Sequence, residues 1–210
     1  MSREEPAPAA PRRRAAAADG ARNALSREQW IEAAMALLVD GGVDLVRVDV
    51  LARQLGVTRG SFYWHFKDRG DLLQQVLQAW RDAATVQVTQ RFSGRNPDPE
   101  ALIREILSLP LRGRSAQRAA RVELAIRDWA RRDEMARQAV DEADASRISY
   151  IAQCFSALGF GIAEARHRAT LLYAYEVGES LLVRQGTPAQ KNERNALAAQ
   201  LLLMRLPAQG

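Results

Sequence analysis

From Ser26 to Arg205 the apolar residues recur at helical intervals, and nowhere do they keep up the period-two alternation of a half-buried strand. That confines the chain to architectures in which helices pack on helices. Local signals divide the helices. Ser26 and Gln29 form a Ser-x-x-Gln capping box, and Ile31, Ala34 and Leu38 follow at i, i+3 and i+7 until Gly41-Gly42, which predicts a helix over 27–40. A short second helix is expected over 47–54, with Val48, Leu51, Ala52 and Leu55 on one side and Gly56 at the turn that closes it. Thr58 is then expected to cap a third short helix, in which Phe62 and Phe66 point back to the second. A helical wheel puts Arg59, Gly60, Ser61 and Trp64 on the opposite wall, with Tyr63 on the flank. Two short helices about a glycine turn, the second apolar inside and polar and aromatic outside, make a helix-turn-helix.

Further helices are expected over 71–92, from the Asp98-Pro99 cap to about 109 where Pro110 interrupts, and over 115–131, 133–157 and 163–185. The signal Thr187-Pro188-x-Gln190 opens a last one to about 205. The expected fold is all-α with about nine helices. Residues 1–24, rich in Ala, Pro and Arg and without apolar periodicity, read as a disordered basic arm.

Composition excludes several classes of protein. With 47% apolar and 26% charged residues over 210 positions, the chain can bury a sizeable core. Cys154 is the one cysteine, so no internal disulfide forms, and it is expected to be a small buried apolar side chain. With two histidines there is no Cys/His cluster at zinc-ligand spacing, and no nucleophile-base pair or phosphate-binding glycine loop is present. The expectation is therefore no enzyme, no metal and no cofactor. No apolar run reaches the roughly 18 residues of a membrane span, and the N-terminus lacks the apolar stretch of a signal peptide, so a cytoplasmic protein is expected.

The charge balance of 30 cations to 25 anions gives +5, and all cations but Lys67 and Lys191 are arginine, which suits bidentate phosphate or carboxylate contacts. Residues 1–70 carry 11 cations and 9 anions, so total charge singles out no half of the chain. Local charge is more telling, because Arg53, Arg59, Lys67 and Arg69 are opposed within 53–69 only by Asp68.

The string Gly56-Val57-Thr58-Arg59-Gly60-Ser61-Phe62-Tyr63-Trp64-His65-Phe66-Lys67-Asp68-Arg69 closely resembles the TetR/AcrR family of transcriptional regulators, with a looser likeness over 26–80. The resemblance implies a DNA-binding domain over 25–70 and a helical effector-binding and dimerisation domain over 71–210. It also implies a homodimeric repressor that leaves a double-stranded operator when a small-molecule effector binds; an activator, or an architectural DNA binder without effector, is the alternative. A recognition helix needs donors at base edges and cationic or aromatic groups at the flanking phosphates. Arg59 is the candidate for a bidentate guanine contact, Gly60 lets the backbone approach the groove, and Ser61 and Thr58 offer hydroxyls. The resemblance places Tyr63, His65 and Lys67 at phosphates and Trp64 on sugar or a thymine methyl. Lys67 also lies near the start of the fourth helix, whose free N–H groups suit a phosphate. Family members often have a hydroxyl near the start of the second helix; here Arg47 is expected to take over its phosphate contact, with Arg53 neutralising Asp49. Arg12-Arg13-Arg14 in the arm either follow DNA or solvate a tail.

Beyond residue 70 the signals are sparser. Trp80, Trp129, Tyr150, Tyr173 and Glu176 are candidates for an effector pocket, Glu176 above all, because a carboxylate within an apolar helix needs a partner. Arginines at 112, 114, 118, 121, 127, 131 and 132, opposed by Glu123 and Asp128, mark either a site for an anion or acidic partner or a solvated helix face. Leu171, Leu172, Tyr175, Gly178, Leu181, Leu182, Leu197, Leu201 and Met204 on the last two helices would form a four-helix bundle across a two-fold axis, or else an internal core.

Overall fold

A computed structural model describes residues 25–89, 98–111, 113–182 and 184–205; the arm at 1–24, Arg112 and the expected end of the fourth helix at 90–92 lie outside them. The described residues form nine α-helices and no strand: α1 (Arg27–Gly41), α2 (Val48–Gln54), α3 (Arg59–Phe62), α4 (Arg69–Thr89), α5 (Pro99–Ser108), α6 (Gly113–Ala130), α7 (Glu134–Ala157), α8 (Ile162–Leu181) and α9 (Pro188–Leu203). The capping box of α1 is present in both directions: the Ser26 N–H donates to Gln29 Oε1 at 2.8 Å and the Gln29 N–H to Ser26 Oγ at 3.3 Å. Thr187 and Gln190 repeat the arrangement at α9, and Asp98 caps α5 ahead of Pro99. α8 ends four residues earlier than its apolar pattern suggests, because the chain turns through Gly186 (φ +85°) into the α9 cap.

Two buried clusters make the core. The first holds Trp30, Ala33, Ala34, Leu37 and Leu38 of α1, Leu51 and Ala52 of α2, Phe62, Phe66, the apolar residues of α4 from Leu72 to Trp80, and then Ile126, Trp129 and Ala130 of α6 with Ala136 to Ala143 of α7. The buried stripe of α1 thus starts at Trp30, one residue before the expected Ile31, because the Trp30 ring meets Phe62 edge-on at 5.4 Å. Phe62 stacks on Phe66 at 5.2 Å, so both rings are held against α1 as well as α2. Each fully buried side chain of this size contributes roughly 1.5–3 kcal/mol. The second cluster joins α5, the C-terminal half of α7, α8 and α9. α7 belongs to both, and residue 70 divides neither of them. Arg168 on α8 pins the end of α9 by donating to the carbonyls of Leu202 at 2.5 Å and Met204 at 2.8 Å.

Candidate nucleic-acid interface and internal cavity

α2 and α3 meet at the turn Leu55–Thr58, where Gly56 has φ +68°, a value that side chains with a Cβ rarely adopt. With Phe62 and Phe66 turned inward, the rest of the segment faces water. Trp64 is 88% exposed and Tyr63 56%. Arg59, Gly60, Thr58 and Lys67 are exposed, while Ser61 and His65 are half-buried. The Arg59 guanidinium has no hydrogen-bond or ion-pair partner among the described residues, so its bidentate edge is free. A Cβ at Gly60 would come no closer than 3.7 Å to its nearest neighbour in the chain, so the fold itself does not require glycine there.

Several local expectations need correction. The Thr58 hydroxyl caps nothing; the short helix is closed instead by Ser61, whose Oγ and N–H both donate to the Thr58 carbonyl, at 2.9 and 3.2 Å. Arg47, expected at a phosphate, pairs with Asp49 at 3.1 and 3.2 Å on the exposed surface, and it is Arg47, not Arg53 as expected, that neutralises that carboxylate. Arg69 leaves the basic cluster altogether. Its guanidinium donates to the carbonyls of Val46 at 2.6 Å and Val43 at 2.5 Å, tying the start of α4 to the turn after α1. At that start Asp68 accepts the Asp71 N–H, and Asp71 accepts the Lys67 N–H, so the fourth helix opens on its own carboxylates.

A cavity of about 480 Å³ lies among α1, α4, α5, α6, α7 and α8. Trp80, Tyr150, Tyr173 and Glu176 line it together with Met35 of α1 and Val122 of α6. Trp129 does not: it is 2% exposed and packed in the first core cluster, on a helix that packs against α1 and α7.

A network absent from the sequence-based expectations forms one cavity wall. Arg147 holds Glu123 at 2.7 and 3.0 Å, and Arg127 holds Asp144 at 2.6 and 3.0 Å while also reaching Glu123 at 2.9 Å. The Tyr173 hydroxyl sits among them, donating to Asp144 at 2.7 Å and accepting from Arg127 and Arg147, each at 2.7 Å. Burial alone would raise the Glu123 pKa, but the two arginines outweigh it and hold the carboxyl below its ordinary range. For Tyr173 burial dominates and pushes the phenol up. Arg127 is therefore spoken for inside the protein, and Arg118 and Arg132 pair with Glu32 and Asp44, so these three members of the arginine run are not an open anion site. Sequence spacing gave no sign of Arg147 or Asp144, which reach this point only through the packing of α7 on α6.

Glu176 differs from its neighbours. Its carboxylate lines the cavity and forms no hydrogen bond or ion pair among the described residues; burial, only partly offset by Arg147 and reinforced by Glu123, pushes its pKa up to about 8. Cys154 is buried, as expected, and its thiol is pushed up by burial.

On the outer side of α8 and α9, Leu171, Leu181, Leu182, Leu197, Leu201 and Met204 are each at least half exposed. Leu172, expected among them, is fully buried in the second cluster, and Tyr175 is half-buried against it. A Cβ at Gly178 would meet nothing within 4 Å.

The described residues thus present a helix-turn-helix with an outward aromatic and basic face, mounted on a helical body with an internal cavity. Residues 31–76 match the family model described as bacterial regulatory proteins, tetR family. It is 31% identical over 83 residues to the HTH-type transcriptional regulator AcrR of Shigella flexneri, covering 39% of this chain and 38% of that one. It is 27% identical over 172 residues to the class C tetracycline repressor protein of Escherichia coli, covering 82% of this chain and 72% of the repressor. Over the first curated relatives the match spans only about a quarter to two-fifths of their length. Among solved structures, the reduced form of NemR from Escherichia coli shares the fold with a TM-score of 0.69 at 18% identity, over 87% of this chain and 99% of that one. No helix among the described residues is long and apolar enough to cross a membrane.

Proposed function

We propose that this chain is a homodimeric cytoplasmic repressor that binds a palindromic operator through α3 and its following turn, and releases it when a small molecule enters the cavity. The observation that carries the reading is the pairing of an 88% exposed Trp64 with an exposed Tyr63 and an Arg59 that has no partner among the described residues, on a segment whose Phe62 and Phe66 rings are buried. Water is a poor environment for such a tryptophan, whereas a DNA backbone or thymine methyl suits it, and a free guanidinium suits a guanine edge. Thr58, Gly60, Ser61, His65 and Lys67 complete the face; Arg47 joins it only if DNA competes with Asp49. The exposed leucines of α8 and α9 supply a self-complementary surface on which two copies would place their heads about 34–36 Å apart, the spacing of successive major grooves. The cavity, within the roughly 300–1,000 Å³ range of small-molecule sites, is walled in part by Met35, so an occupant presses directly on the first helix of the DNA-binding head. A ligand that favours another head spacing weakens binding by its differential affinity for the two states.

The test is genome-wide immunoprecipitation of the tagged chain beside its Arg59→Ala, Tyr63→Ala variant, with transcript levels after gene deletion. A few sharp palindromic peaks, lost in the variant, with neighbouring transcripts rising on deletion, support the repressor. Diffuse occupancy that survives the double substitution points to a sequence-neutral architectural binder, and transcripts that fall on deletion point to an activator.

A further inference from the structure

The charges around the cavity do not balance. On α6 and α7, Glu123 and Asp144 are matched by Arg127 and Arg147 in close pairs, and the Tyr173 hydroxyl of α8 is absorbed into the same network. At the rim Glu32 of α1 and Arg118 of α6 neutralise each other at 2.9 Å. Arg147 commits both terminal nitrogens to Glu123 and Tyr173. That leaves Glu176 as the one cavity carboxylate with no hydrogen bond or ion pair among the described residues, its burial only partly offset by the Arg147 charge, in a lining that also holds Trp80, Tyr150 and Tyr173. An ionised carboxylate withdrawn from bulk water is unfavourable unless a cation or hydrogen-bond donors meet it, and aromatic faces attract cations through their quadrupoles.

We propose that Glu176 is the anchor for an organic cation in this cavity: a guest with an apolar or aromatic body and one positive charge, the charge set against Glu176 and the body against Trp80 and the apolar residues of α5, α6 and α8. The inference rests on the cavity being the effector site and names the class of molecule it takes. In the empty cavity burial keeps Glu176 largely protonated at neutral pH, so a permanent cation displaces a proton as it binds. Its apparent affinity therefore rises with pH. Arg127 and Arg147 stay charged throughout and Tyr150 and Tyr173 stay neutral, their phenols being pushed up, while Glu123 is held low and ionised.

The experiment is calorimetric titration of the full chain, without DNA, with benzyltrimethylammonium, whose charge is independent of pH, and with its neutral carbon isostere neopentylbenzene. The expected result is saturable binding of the cation, weakened at least about tenfold in Glu176→Gln, with the isostere binding both proteins alike. The wild-type affinity for the cation is expected to rise on the order of tenfold between about pH 6.5 and about pH 8.5, and to stay flat in the variant. The pH series on the wild type needs no variant and so stands even if the substitution disturbs folding. Equal binding of the cation by wild type and variant overturns the proposal. So does an affinity that falls as pH rises, which would make the protonated acid the recognised form, or the absence of saturable binding at millimolar concentrations. Because no DNA is present, a negative result here leaves operator recognition standing, and a failure of operator recognition leaves this result standing.

Discussion

Arg118 of α6 meets Glu32 of α1 at 2.9 Å in the lining of the cavity, so the two helices are bridged there by an ion pair. Both side chains are about two-thirds exposed, 66% and 67%. Exposed pairs contribute little, so Arg118→Ala is expected to change the unfolding free energy by less than about 1 kcal/mol. Arg127 bonds to Asp144, Glu123 and Tyr173 in a shielded wall, and Arg127→Ala leaves Asp144 with the Tyr173 hydroxyl but no counter-charge, while Arg147 still holds Glu123. The expected cost of the substitution is about 3–5 kcal/mol. Chemical denaturation of the two variants checks the contrast; equal effects would mean that the wall is as wet as the rim.

Lys67 and Arg69 lie two residues apart with different tasks. Lys67→Ala is expected to weaken binding to all DNA sequences alike and to reduce the slope of log affinity against log salt by about 0.9. Arg69→Ala removes two charge-assisted bonds to the Val43 and Val46 carbonyls and is expected to lower stability by roughly 2–3 kcal/mol with the salt slope unchanged. Anisotropy titrations at several salt concentrations, beside thermal melts, separate the two.

Why the sequence placed Arg69 with the basic cluster is instructive. Capping boxes, glycine turns and the Phe62 and Phe66 spacing act over three or four residues, and they delimit the helices to within a few positions. The recognition segment is likewise contiguous, so its outward face could be read from a wheel. What Arg69, Arg47 and Trp129 touch depends on how helices far apart in the chain come together. Trp80 and Trp129 carry the same signal, an aromatic ring on an amphipathic helix, and both are buried in the first cluster; only packing brings Trp80 to the cavity as well. Arg147 and Asp144 sit in a stretch with charges on every side, and nothing in their spacing distinguishes them. Glu176 did carry a local signal, a carboxylate in an apolar run.

Titration of Glu176 gives a stability signature. Its folded pKa, about 8, lies above the ordinary 4.5, so the native state keeps a proton that the unfolded chain has released. Stability from this group is therefore full below about pH 4.5 and is lost as pH rises toward 8. Glu176→Gln lacks the loss, and its advantage over wild type is expected to grow with pH to on the order of 2 kcal/mol, below the full linkage value because cavity water screens the charge. Denaturant midpoints of both proteins at pH 5, 7 and 8.5 measure it; a constant difference would mean that Glu176 is solvated like a surface carboxylate.

Leu171 and Leu197 are 62% and 56% exposed, so arginine at either position has little internal packing to disturb. If the outer face of α8 and α9 joins two copies, Leu171→Arg with Leu197→Arg is expected to convert dimer to monomer in sedimentation velocity and to abolish operator binding, with the helical circular dichroism intact. An unchanged sedimentation coefficient would place the subunit contact elsewhere.

The chain has four tryptophans, and their burial divides them sharply: Trp30, Trp80 and Trp129 are at most 5% exposed, whereas Trp64 stands almost entirely in water. Trp64 should therefore fluoresce at long wavelength and be quenched freely by iodide until a nucleic acid covers it. Trp80 emits from the cavity wall beside the Arg147 guanidinium, 5.7 Å from its ring. The protein thus carries an intrinsic optical probe at each end of the proposed switch, so both binding events can be followed in one cuvette without a label.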